Sequence, residues 1–191
     1  MQPHVALLEG EVRPLKRVEY DRLVDLGVFE GEKVELLYGR IVQMAPQGEH
    51  HSSAIVALTM LLVPRLAGRA DVRVQLPLAC PDESEPEPDV AIVPPGSVFL
   101  GDHPSWAHLV IEVAASSQEK DRGPKGDLYA RAGVPEYWVV DVRSRRVERY
   151  RRPVDGRYAE SSLHESAETL CPGEFPDVEV ELARILPPPR R

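Results

Sequence analysis

The apolar positions of this chain change period several times, and each change marks an element. From Arg17 to Leu26, Val18, Leu23, Val24 and Leu26 recur among charged residues, which predicts a short amphipathic helix ending at Gly27. Lys33–Leu37, the turn Tyr38-Gly39-Arg40 and Ile41–Met44 predict a β-hairpin. Between Ser52 and Leu66 a stripe of Ile55, Leu58, Leu62 and Leu66, widened by Val56, Met60 and Leu61, predicts the longest helix. Ser52 or Ser53 is its expected N-cap, and Pro64 is placed to truncate or kink its end. Val72–Leu78 alternates apolar residues with Arg73, Gln75 and Pro77, as a half-buried strand does.

Further on, Val90–Val93 and Leu109–Val113 are continuous β-branched runs, the pattern of central strands covered on both faces. The acidic, proline-rich stretch Pro81–Pro88 and the stretch Pro94–Ser105 read as loops. Pro124–Ala132 predicts a helix, with proline near its first position and Gly133 just past its end. Glu136–Val142, Arg145–Tyr150 and Arg157–Leu163 predict further strands, and residues 187–191 a frayed tail. No repeat or linker divides the chain. The expectation is one α/β domain over residues 1–191, with an N-terminal helix and hairpin ahead of a central sheet flanked by helices.

Composition narrows the functional classes. An apolar content of 42% and a charged content of 28% suit a soluble globular protein. No apolar run approaches the roughly 20 residues of a membrane helix, and the N-terminus lacks a secretory pattern, so a cytoplasmic protein is expected. Cys80 and Cys171 are too few and too far apart for a CxxC metal site or a disulfide framework. The net charge of −8 argues against binding nucleic acid by charge alone. One segment departs from that average: Arg143, Arg145, Arg146, Arg149, Arg151, Arg152 and Arg157 are opposed only by Glu148 and Asp155. It suits either a phosphate-facing stripe or a charged edge strand protected against aggregation. Asparagine is absent and lysine scarce, a composition that hints at a thermophile.

Candidate chemistry centres on Asp89, at the head of one β-branched run, and Glu112, inside the other and 23 positions later. If the two strands are neighbours, both carboxylates reach one point. Mg²⁺ takes hard oxygen ligands and keeps several waters, so two carboxylates suffice. A nearby lysine would orient water and hold a phosphate oxygen. An acid in an apolar strand, as Glu112 is, costs free energy unless paired or metal-bound. Zinc would need three or four ligands, and no His or Cys set stands at matching spacing. Asp121 suits either a helix cap or a site-shaping acid.

Pro88-Asp89, then Glu112, then a lysine resembles the PD-(D/E)XK nuclease superfamily, and more closely its Uma-type restriction-endonuclease family. The matching segments are Val34 to Val42, Glu87 to Val93, Leu109 to Val113, Asp121 to Lys125 and, longest, Tyr129 to Asp141. The resemblance implies a restriction-endonuclease-like core over about residues 17–152, with C-terminal strands and tail at 153–191. It implies hydrolysis of DNA phosphodiester bonds with Mg²⁺ or Mn²⁺, Asp89 and Glu112 holding the metal. The superfamily lysine, expected two places after Glu112, is Ala114 here; Lys125 is the matching position for the displaced role, with Lys120 as runner-up. Glu35 matches a family position and joins the catalytic set. His51, Gln75, Asp121 and Tyr129 are accessory candidates, Tyr129 lying one helical turn from Lys125. Specificity would come from the loops Pro81–Pro88 and Pro94–Ser105. Cutting both strands of a duplex would call for a homodimer. The alternative is a nucleic-acid-binding or regulatory module with little turnover on the same fold.

Overall fold

The computed structural model describes residues 12–81, 83–97, 102–114 and 121–188, with backbone alone at 121 and 122. In chain order the elements are α1 (Arg17–Asp25), β1 (Val34–Leu37), β2 (Arg40–Gln43), α2 (Glu49–Leu66), β3 (Asp71–Val74), β4 (Val90–Val93) and β5 (Leu109–Ala114). A π-turn, Asp121–Lys125, leads into α3 (Gly126–Arg131), followed by β6 (Glu136–Asp141), β7 (Arg146–Val154) and β8 (Arg157–Glu165). The short β9 (Thr169–Leu170) and β10 (Val180–Glu181) and α4 (Leu182–Ile185) close the chain.

The central sheet has six strands in the order β3-β4-β5-β6-β7-β8. Only β5 and β6 run parallel, and the connection between them carries α3, as a parallel crossover requires. The sheet separates two apolar layers. Val90, Ile92, Leu109, Ile111, Val113, Trp138 and Val140 pack with α2 and α4. Ala91, Val93, Val110, Tyr137 and Val139 face the other way, against Leu128 and Tyr129 of α3. Period-two alternation in strands buried on both faces produces this division, which is why β4, β5 and β6 read as unbroken apolar runs.

The hairpin β1-β2 forms its own two-stranded sheet, and all four residues of β1 are buried. An isolated bridge between Leu36 and Glu85 ties it to the segment before β4. The stretch expected to be a free specificity loop, Pro81–Pro88, is therefore partly folded onto the hairpin, with Ser84 and Glu85 buried. Gly39 completes the turn at φ +71°, and a Cβ there would collide with Pro14.

Several details of the elements differ from expectation. Helix α2 begins at Glu49 with Gly48 at the cap, so His50 and His51 lie in its first turn and Ser52 bonds back to the Gly48 carbonyl rather than capping. Pro64 sits inside α2 near its end without stopping it before Leu66. Strand β3 ends at Val74 because Gln75 turns to φ +50°. Pro124 lies within the π-turn, one residue short of α3, rather than at the first position of a longer helix.

The arginine-rich segment spans the β7-β8 ribbon, and three of its seven arginines meet carboxylates. Arg149 pairs with buried Glu136 at 2.8 Å, and Arg151 and Arg152 both meet Glu160. Arg145 donates to the Pro187 carbonyl. No helix among the described residues is long and apolar enough to cross a membrane.

Candidate active site

The register of β4 and β5 brings the two acids together. Val90 lies opposite Ile111, so the antiparallel count puts Asp89 opposite Glu112. Residues directly opposite share a face with Cβ atoms about 5 Å apart. That face carries α3 and the hairpin. The Asp89 carboxylate is pinned: Oδ2 accepts the Val113 amide at 2.8 Å and lies 3.1 Å from His51 Nε2, while Oδ1 accepts from the Gln75 side chain at 3.3 Å. His51 reaches it from the first turn of α2, and its buried Nδ1 has no hydrogen-bond partner among the described residues. Gln75 also donates its backbone amide to the Asp89 carbonyl at 3.2 Å, a bond that its left-handed conformation makes possible.

Lys125 is the junction of the site. It is only 4% exposed, and its Nζ lies 3.0 Å from Glu35 Oε2 and 2.9 Å from Glu112 Oε1. Both carboxylates are as deeply buried, at 1% and 4%. An ammonium and two carboxylates out of water are tolerable only as partners, since each alone would meet a desolvation cost of several kcal/mol. The Tyr129 hydroxyl donates to the same Glu112 oxygen at 2.7 Å. Burial and the neighbouring Glu112 charge hold the Tyr129 hydroxyl well above its ordinary pKa, so it stays a donor. Lys125 and Tyr129 are four residues apart and meet on one carboxylate oxygen, as (i, i+4) positions on a helical path do. Contacts among Tyr129, Tyr137 and Tyr150, with centroids 5.2 and 5.8 Å apart, fix α3 against the sheet.

Four of the residues singled out from sequence thus form one buried cluster: Glu35, Glu112, Lys125 and Tyr129. Asp89, Gln75 and His51 form a second group joined to it through β5. The Asp121 side chain and Lys120 lie outside the described residues. Two contributors went unrecognised in the sequence. Tyr38 donates from its hydroxyl to the Pro124 carbonyl at 2.7 Å, fastening the π-turn to the hairpin. Glu87 gives its amide to Glu35 Oε2 at 3.4 Å, and burial, then the Glu35 charge, raises the pKa of its own carboxyl. The signal for Glu87 was its place two residues before Asp89; for Tyr38 it was a turn residue that no pattern links to a distant proline.

The donor set suits a hard divalent cation. Asp89 and Glu112 supply carboxylate oxygens on one face, the number Mg²⁺ commonly takes from protein. Among the described residues no group of three or more His, Cys, Asp and Glu side chains is arranged to hold a metal ion.

The chain is a mixed α/β protein that brings two acids of neighbouring strands and a lysine from the π-turn to one face of its sheet. The chain belongs to the Uma2 family, described as putative restriction endonuclease, whose model matches residues 17–183. Its fold is also similar to the crystal structure of a putative nuclease belonging to DUF820 from Anabaena variabilis ATCC 29413. That likeness has a TM-score of 0.69 at 18% identity over 90% of this chain and 97% of the other. No curated protein matches the chain.

Proposed function

We propose that the protein is a divalent-metal-dependent endonuclease that hydrolyses phosphodiester bonds in DNA. The observation that carries this reading is Lys125 held between Glu35 and Glu112, on the β5 face that Asp89 shares. Family membership supports the reaction class. Asp89 and Glu112 would hold Mg²⁺, or Mn²⁺ in its place. When bound, the cation supplies charge neutralisation on the phosphate and lowers the pKa of a water it coordinates. Gln75 and the Val113 amide orient Asp89, and Tyr129 orients Glu112. The Lys125 ammonium would donate to the attacking water and orient it toward the phosphorus. Glu35 keeps that ammonium charged and in position. Two-strand cleavage would use a two-fold homodimer acting in the cytoplasm.

A second reading, a binding module with little turnover, is favoured by one observation: both Asp89 oxygens are already held by protein groups. Calorimetry with Mg²⁺ and Mn²⁺, run beside cleavage assays on single-stranded and duplex DNA and RNA, separates the two. The nuclease reading expects metal binding at millimolar concentration and chelator-sensitive cleavage of DNA. Tight DNA binding with no metal uptake and no cleavage would overturn it.

A further inference from the structure

We infer that the groove between α2 and the end of β3 is a nucleobase-binding subsite that takes a base beside the scissile phosphate. The inference rests on the nuclease reading for its placement. The groove encloses about 340 Å³ and is lined by Gln47, Ser52, Ile55, Val56, Met60 and Gln75, among others. That volume lies at the lower end of the range of small-molecule sites, about 300–1,000 Å³, so it fits one planar ring system better than a larger ligand.

Position is the first argument. Of the three groups that hold the Asp89 side chain, the side chains of Gln75 and His51 belong to this groove or adjoin it. Gln75 is a lining residue and donates to Asp89 Oδ1; His51, next to the lining residue Ser52, meets Oδ2. The groove therefore adjoins Asp89 through these two side chains, from the α2 side of the sheet. It runs away from that point along α2, where Ser52, Ile55, Val56 and Met60 are spaced at one helical face over about 12 Å.

Chemistry is the second. Ile55, Val56 and Met60 supply an apolar lining, and Gln47 and Gln75 add polar side chains to it. A nucleobase presents that same division, an apolar face and a hydrogen-bonding edge. Enzymes that act on extruded nucleotides hold the base between apolar side chains and read its edge. Val56 and Met60 are 56% and 73% exposed, and Leu76, beside Gln75, is 45% exposed. Gln75 holds φ +50°, an uncommon conformation for a residue with a side chain, and it is the residue shared by groove and metal site.

The test uses Val56→Thr/Met60→Gln, a neutral double substitution of nearly unchanged volume at exposed positions outside the catalytic cluster. One arm measures fluorescence of an oligonucleotide with 2-aminopurine in place of adenine, which needs no turnover. The parent brightens the probe on binding, and the variant loses most of that change. The other arm measures cleavage of intact oligonucleotides and of ones carrying a single abasic site, scanned along the strand. The variant raises KM about tenfold on intact DNA with little change in kcat, and adds no further penalty where the abasic site already leaves the groove empty. A parent that binds and brightens the probe yet cleaves nothing removes the nuclease reading and leaves the subsite standing. Cleavage that is identical in parent and variant, with a silent probe, overturns the subsite and leaves the nuclease. A variant whose only change is conversion of a dimer to monomers also overturns it, assigning the groove to a second copy of this chain.

Discussion

Replacing Lys125 by Met is the sharpest structural perturbation available. The substitution keeps an unbranched apolar stem and removes the ammonium at its end. It leaves Glu35 and Glu112, 1% and 4% exposed, without the ammonium that lies 3.0 and 2.9 Å from them. Breaking a buried ion pair by removing one partner costs about 3–5 kcal/mol, because a charge stays behind in a poor solvent. Domains are stable by only about 5–15 kcal/mol, so the loss is a large fraction. Urea denaturation reads it out. With an m-value near the upper part of the range of about 1–3 kcal/mol/M, the midpoint should fall by about 1–2 M. A second substitution checks the cause. Glu35→Gln added to Lys125→Met should recover part of the loss, with a coupling of about 1–3 kcal/mol. A midpoint shift below about 0.3 M, or losses that simply add, would refute the claim that Lys125 neutralises the buried acids.

Three further outcomes are expected. Tyr129→Phe removes one donor to Glu112 Oε1 and should raise the Mg²⁺ concentration for half-maximal cleavage about 10- to 100-fold, with circular dichroism unchanged. Glu85 is pushed up to about 7, first by burial and then by the Asp21 charge and hydrogen bond. A carboxyl raised in the fold adds stability below its unfolded value and loses it as pH rises through its folded value. Parent stability should therefore fall between roughly pH 5 and 7, by about 1–2 kcal/mol after allowance for screening, and Glu85→Gln should flatten that slope. Leu62→Ala, at a fully buried position where α2 meets the sheet, should cost about 2–5 kcal/mol in the same denaturation assay.

Much of the fold was legible because its signals are local. The β-branched runs of β4 and β5, the stripe of α2 and the Gly39 turn each reflect short-range geometry, and all three elements form. The pairing of Asp89 with Glu112 was also readable, since neighbouring strands with acids at matching places leave few registers. What escaped depends on distant partners. The strand expected over Val72–Leu78 stops at Val74 because Gln75 bonds to Asp89, fourteen positions on. Pro124 looked like a helix start, but Tyr38 from the hairpin fastens its carbonyl, and the chain there makes a π-turn. The arginine run invited a phosphate, while Glu136 and Glu160, supplied by neighbouring strands, meet three of its seven arginines. Tyr129 was one of several residues on a helical face; its role beside Lys125 follows from both reaching one oxygen of Glu112.

The central claim is that Glu112 serves chemistry as well as structure. Cleavage of duplex DNA in Mg²⁺, by the parent and by Glu112→Gln purified side by side, tests it most directly. Gln keeps the side-chain shape and a carbonyl acceptor for Lys125 and Tyr129. The account predicts chelator-sensitive cleavage by the parent and a loss of at least about a hundredfold in the variant, with the fold retained by circular dichroism. Equal cleavage by both proteins, or none by the parent, would contradict it.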